Sequence, residues 1–331
     1  MKMLRGQFLI MFILISITFT FSVSLEFDES FIVNLRLYNK NEILDIVSQK
    51  GNVYLLSENG LVYFIDSKGK INNIIDLELE SYGKTPVKII YNGKEIEKYL
   101  LTAGGMDIYD DSLYVAFYNI VKVFNSEGEV LSTITLNNDL SINDVKIIDS
   151  KIFVLDQIKG LFKVKGNTIE KVFPERGQES LGMNYTNLEV IGDTIYLGYM
   201  YGKTEQVGPK AYATSEPFVQ GVYKLSNKDG KYMEEENKEL GENAVINESF
   251  VTFENHLILS KGEAEIFVLD EDLNIRLYIN SPNLLYYPKF ALDENVNADG
   301  KNILYIYNHR DLKRYFFEFS LPQKICKWET F

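Results

Sequence analysis

Short runs of β-branched and aromatic residues recur along the chain, joined by a turn and followed by clusters of Asp, Asn, Ser, Lys and Gly. The clearest copies are NVYLLSENGLVYFIDSKGKINNIIDL (52–77) and SLYVAFYNIVKVFNSEGEVLSTITL (112–136). Runs of this length with turn-forming punctuation predict strands joined as hairpins. Val53, Leu113, Ile152, Ile195, Leu257 and Ile303 occupy equivalent positions, with gaps of 60, 39, 43, 62 and 46 residues. A four-stranded propeller blade needs about 40–45 residues. The two long gaps are therefore one blade plus an insertion each. The pattern predicts an all-β chain, a single six-bladed β-propeller of four-stranded antiparallel blades.

The predicted third strands keep the same phase: VYFIDSKGK (62–70), VKVFNSEGE (121–129), LFKVKGN (161–167), VYKLSNKDGK (222–231) and IFVLDEDLN (266–274). With these motifs the chain resembles the six-bladed propellers of the NHL and lactonase (TolB-like) type over roughly residues 42 to 320. That resemblance implies a fold and no particular activity. Ring closure requires a strand from each terminus in one blade, and FIVNLRLY (31–38) is expected to pair with RYFFEFSL (314–321). Closure removes free sheet edges.

The insertions fall at about 80–101, between the outer strand of blade 1 and the inner strand of blade 2, and at about 199–218, between the second and third strands of blade 4. Strand alternation brings these two kinds of junction to the same rim. The first contains VKIIYNGKEIEKYLL (87–101), two strand-like runs around the hairpin signal Asn92-Gly93. The second, YMYGKTEQVGPKAYATSEPF, reads as an ordered loop. Together they supply Tyr82, Tyr91, Tyr99, Tyr199, Tyr201, Tyr212 and Phe218. Aromatic rings on loops offer large contact area at low entropic cost and suit carbohydrate or peptide recognition. The alternative is that they pack the insertions onto the ring.

The N-terminus changes the expected compartment. Lys2 and Arg5 precede an apolar run from Phe8 to Phe21, and Ser22-Val23-Ser24 offers small residues for cleavage. This predicts a signal peptide over 1–24 and a propeller domain over 25–331, secreted or held in the periplasm or cell envelope. The alternative is an uncleaved anchor, since Gly6 to Leu25 carries no charge. Cys326 is the only cysteine, so no internal disulfide can form. The net charge of −13 becomes −15 without Lys2 and Arg5, a surface that repels nucleic acid and anionic lipid. A monomer with an envelope protein or polysaccharide as partner is expected, with no membrane span after cleavage.

Candidate chemistry is sparse. Asp45, Asp144 and Asn187 stand eight residues before their blade markers and Asp107 six before its own, near the start of the inner strands and around one mouth of the channel. Such a ring could hold Ca²⁺ or another hard divalent cation. The alternative is that each side chain caps the turn into its strand. No other cofactor is indicated. His309 and Arg310 follow the second strand of blade 6 on the decorated rim and are ligand-contact candidates. His256 and His309 are the only histidines, and no nucleophile motif accompanies them. The leading expectation is a binding module whose decorated face recognises an envelope polymer or protein. A metal-dependent hydrolase or lactonase with an acidic central mouth and an envelope assembly scaffold are the alternatives. N-terminal sequencing of protein from its native cell should begin near Leu25; an intact Met1 in a soluble cytoplasmic fraction would refute export.

Overall fold

The computed structural model describes residues 22–35, 42–82, 86–91, 94–136, 140–174, 182–208, 211–243, 249–261, 265–280, 288–293, 302–308 and 311–320. Six four-stranded antiparallel sheets follow one another along the chain. Blade 1 holds β2 (Ile43–Gln49), β3 (Asn52–Ser57), β4 (Leu61–Ile65) and β5 (Ile71–Asp76). The hairpin β6 (Val87–Tyr91) and β7 (Lys94–Lys98) comes next, after a short 3-10 turn at Leu79–Tyr82. Blade 2 holds β8 (Gly105–Tyr109), β9 (Ser112–Phe117), β10 (Ile120–Phe124) and β11 (Val130–Thr135). Blade 3 holds β12 (Ile142–Ile148), β13 (Lys151–Asp156), β14 (Gly160–Lys165) and β15 (Thr168–Phe173).

Blade 4 holds β16 (Met183–Ile191), β17 (Thr194–Gly208), β18 (Ala211–Lys228) and β19 (Lys231–Asn243). Blade 5 holds β20 (Phe250–Phe253), β21 (His256–Lys261), β22 (Glu265–Asp270) and β23 (Ile275–Asn280). Blade 6 holds β24 (Lys289–Asp293), β25 (Asn302–Tyr307) and β26 (Asp311–Ser320), with β1 (Ser22–Asn34) as its outer strand. Each of the six sequence markers is the second residue of its blade's second strand.

The core is divided by the architecture. Each pair of neighbouring blades encloses a cluster of buried side chains, as with Val53, Leu55, Tyr63, Ile303 and Tyr305 between blades 6 and 1. Phe153, Leu155, Leu161, Leu188 and Leu197 do the same between blades 3 and 4. Burial of each such side chain contributes on the order of 1.5–3 kcal/mol, so the ring is held by its radial interfaces.

Two expectations are corrected here. The closing segment is longer than residues 31–38 and sits in a different register. Ser22 to Phe27 pair with Ser320 to Tyr315, and only Ile32 to Asn34 reach Lys313 to Asp311. A bulge between Phe27 and Ile32 separates the two stretches and sends Asp28 toward Arg314. The predicted leader boundary lies inside β1; a chain beginning at Leu25 keeps the pairing from Leu25 with Phe317 onward. The second insertion is also not a loop. It prolongs β17 and β18 into a hairpin paired from Thr194 with Ser226 to Gly208 with Ala211, and β19 follows β18 as far as Asn243 opposite Phe218. Its Gly, Pro and Thr residues masked a strand because cross-strand pairing, which sequence periodicity does not contain, decides the outcome.

Arg314 fastens the closure. Its Nε and Nη2 donate to Asp28 Oδ2 at 2.9 and 2.6 Å, Nη1 donates to the Ser67 carbonyl at 2.7 Å, and the guanidinium lies 4.6 Å from the Phe31 ring centre. Burial opposes ionisation of Asp28, but the hydrogen bonds from Ser30 and Arg314 win and hold its carboxyl below the usual range. One side chain thus joins three elements across the blade 6 to blade 1 seam. Replacing Arg314 with Lys keeps the charge and loses the fork. Urea unfolding should show a loss of about 1–3 kcal/mol; an unchanged midpoint would remove Arg314 from the closure.

Candidate functional site

The inner strand of each blade is a sheet edge, so backbone N–H groups along it have no partner within their own sheet. Polar side chains from the preceding blade meet several of them. Met106 N donates to Asp45 Oδ2 at 2.6 Å, Ile147 N to Asp107 Oδ2 at 2.7 Å, and Leu188 N to Asp144 Oδ2 at 2.7 Å. Phe290 N donates to Ser249 Oγ at 2.8 Å, and in the turn after the inner strand of blade 1 Gly51 N donates to Asp293 Oδ2 at 2.6 Å. Asp45 and Asp144 also accept from the amides that follow them, Ile46 and Val145, both at 2.8 Å. Each of these two carboxylates thus holds the amide of the residue after it with one oxygen and an amide of the next blade with the other. A bulge at Ile43/Asp45 and another at Ile142/Asp144 turn the side chains to that position. Gly105 allows the approach, because a Cβ there would stand 2.5 Å from the Asp144 Cα.

Asp45, Asp107, Asp144 and Asn187 all line one polar cavity of about 190 Å³ in the channel. Three further charged groups were missed: Lys146, Glu189 and Lys289 line the same cavity. Lys146 and Glu189 lie two residues beyond Asp144 and Asn187, so the period of two along a strand would have placed them on the channel face. Lys146 Nζ stands 2.8 Å from Glu189 Oε1 and 3.7 Å from Asp107 Oδ1.

Burial pushes Asp45 up to about 6, against the Met106 amide and the Lys146 charge, which favour ionisation. Burial and the neighbouring Asp45 charge push Asp144 well above the usual range. Burial likewise raises Asp107 and Glu189 despite Lys146. Lys146 is itself disfavoured by burial, yet Glu189 and Asp107 keep it protonated. The donor set fits a hard cation poorly: the aspartate oxygens are engaged by backbone amides and an ammonium sits among them. Among the described residues no three His, Cys, Asp or Glu side chains converge as metal ligands.

Above this cavity, toward the rim where the inner strands begin, lies a second one of about 220 Å³. It shares Asp45, Asp144, Asn187 and Lys289 and adds Asn143, Asn184 and Gln157. Asn143 Nδ2 donates to the carbonyls of Tyr185 and Thr186 at 2.6 and 3.0 Å, which fixes the amide. Asn143 Oδ1 and Asn187 Oδ1 are buried and accept no hydrogen bond from a described protein group.

The insertion aromatics divide. Tyr199 is 1 % exposed and belongs to the blade 3 to blade 4 core, where its hydroxyl donates to Asn237 Oδ1 at 2.6 Å; it is not accessible to a ligand. Tyr201 stacks on Tyr199 with ring centres 6.2 Å apart and donates to Glu239 Oε1 at 3.0 Å. Tyr82 and Tyr99 pack against the core between blades 1 and 2, with Tyr82 5.5 Å from Phe117. Phe218 is half-buried. Tyr91 and Tyr212 lie in β6 and β18 with their side chains outside the described set, and His309 and Arg310 lie outside the described residues.

No protein-family model and no curated protein matches the chain. Among solved structures it is similar to the WD40 domain of Pan2 from Neurospora crassa, at 12% identity over 88% of this chain and 95% of that one, with a TM-score of 0.47. The WD40 β-propeller domain of Doa1 matches at 11% identity over 93% and 100%, with a TM-score of 0.48. At that level the six-bladed layout rests on the sheets themselves, and the NHL and lactonase resemblance extends no further than the layout.

Asp45 generates a prediction. Its pKa is higher folded than unfolded, so its contribution to stability is fully present below about 4, the ordinary carboxylate value, and is lost as pH rises through about 6. Asp45→Asn keeps an acceptor for Met106 and cannot ionise, so the fall in melting temperature between about pH 4 and 7 should be smaller than in the unaltered protein (on the order of one titrating group). Asp45→Ala should lose about 1–3 kcal/mol at all pH values. Identical profiles for Asn and wild type would contradict the assignment.

Proposed function

We propose that the protein is an exported binding module that recognises an envelope polysaccharide or protein on the rim carrying its two insertions. The observation that carries this reading is a mouth lined by the amides of Asn143, Asn184, Asn187 and Gln157 together with carboxylates. Side chains of this kind exchange hydrogen bonds with sugar hydroxyls or protein N–H groups. The β6–β7 hairpin, at an outer-to-inner strand junction, and the β17–β18 extension, at a second-to-third strand junction, rise from that rim by topology. Recognition is static: the carboxylate-capped ring keeps the mouth rigid, and Tyr201 and Phe218 offer aromatic contact at its edge. Among the described residues no helix is long and apolar enough to cross a membrane.

The test is pull-down from envelope extracts with Asn143→Leu together with Asn187→Leu, and separately with residues 203–214 deleted, at equal folded fraction. Binding should fall about tenfold or more in the first, since two polar side chains of the mouth become apolar, and should also weaken in the second. Unchanged binding in both, with loss on altering 67–70 on the opposite rim, would place the site on the wrong face.

A further inference from the structure

On the rim opposite the insertions, the turn between the third and fourth strands of one blade leans on the outer strands of the blade before it. In blade 1, Gly69 sits against blade 6, where an added Cβ would be 3.3 Å from Val33 and 3.5 Å from Phe31, and the Ser67 carbonyl accepts from Arg314. In blade 2, Gly128 sits against blade 1, where a Cβ would be 2.7 Å from Asn73 Nδ2, and Asn73 donates to the Glu127 carbonyl. In blade 5, the Glu271 carbonyl accepts from Tyr196 and Asp272 accepts from Lys224 of blade 4. The corresponding turn of blade 4 behaves differently: a Cβ on Gly230 would meet nothing within 4 Å. The turn of blade 3 is open at Gly166 in the same way. At Gly230 the unfilled junction is a groove of about 750 Å³ between blades 3 and 4.

The groove has two chemistries. Phe153, Val172, Tyr232 and Met233 line it with apolar surface, the Phe153 and Tyr232 rings standing edge to face at 5.8 Å. Met233 is 48% exposed and presents its side chain at the groove. Around these residues stand Lys151, Lys163, Lys171 and Lys231, against two acids, Asp149 and Glu170. Glu170 is engaged by Lys165 at 2.6 Å. The groove is thus locally cationic in a protein of charge −13.

The geometry points to this groove as a docking site for a short acidic peptide segment of a partner protein, anchored by one aromatic or branched aliphatic side chain. The apolar floor takes the anchor and the lysines meet the flanking carboxylates, so both halves of the surface are used by one occupant. Long polyanions and anionic bilayers fit worse, because beyond the lysines they meet the field of an acidic protein. This site does not rest on the proposed function of the other rim; together the two would make the ring a bridge between an envelope component and a second protein.

The test uses the full protein and a fluorescein-labelled peptide, Glu-Asp-Phe-Glu-Asp, followed by anisotropy and by hydrogen exchange. Binding should be saturable, should weaken with salt, and should fall about tenfold when Phe in the peptide becomes Ser, or when Lys171→Glu and Lys231→Glu are combined. Met233→Glu, at an exposed position that does not threaten folding, should weaken it in the same direction. Exchange protection should appear in 148–153 and 230–233. No saturable binding of the acidic peptide, equal binding of a Lys/Arg version, insensitivity to the variants, or protection of these residues by phosphatidylglycerol vesicles in place of the peptide would each overturn the proposal.

Discussion

The contact on which the ring depends is the bond from a polar side chain of one blade's inner edge to a backbone amide on the inner strand of the next blade. Inner strands of neighbouring blades face one another without pairing, and each would otherwise leave N–H groups at the edge of a narrow channel. Asp45, Asp107 and Asp144 remove that penalty for Met106, Ile147 and Leu188, and Ser249 does so for Phe290. The solution brings a second difficulty, since several carboxylates then crowd a small cavity. Lys146, placed between Asp107 and Glu189, offsets part of it, while burial still raises the carboxyls of Asp45 and Asp144, the latter with the Asp45 charge beside it.

Outside the channel the ring is held by ordinary burial and by one seam. With Cys326 alone there is no covalent closure. The seam is therefore β1 against β26, with Arg314 reaching Asp28, Phe31 and Ser67. This makes the two ends of the chain mutually dependent: either end lost leaves blade 6 incomplete and exposes a strand edge.

The blade phase was legible because Val53, Leu113, Ile152, Ile195, Leu257 and Ile303 repeat a local pattern that each blade needs for itself. The closure register was not, because the bulge at Phe27/Ile32 is set by the distant Arg314. The strand character of 199–218 was hidden for a similar reason, since β17, β18 and β19 stabilise one another through pairing. In the channel, Asp45, Asp107, Asp144 and Asn187 line one cavity, and the bond from each aspartate to the next blade was not legible, because it depends on how neighbouring blades pack. Tyr199 shows the limit of counting aromatics, for it sits in an insertion segment and is core. Nothing in the sequence marked the blade 3 to blade 4 groove, which arises from a turn that fails to reach its neighbour.

The two rims are built differently. One carries the insertions and an amide-lined mouth above the capped channel; the other carries compact turns that brace adjacent blades. The central claim, that recognition occurs at the first, is tested most directly by hydrogen exchange of the full protein mixed with fractionated envelope material. Protection should appear at 102–104, 143 and 184–187 and along the β17–β18 extension, with the bracing turns at 66–70 and 125–129 unchanged. Protection confined to those turns, with the mouth exchanging as in the isolated protein, would contradict the account.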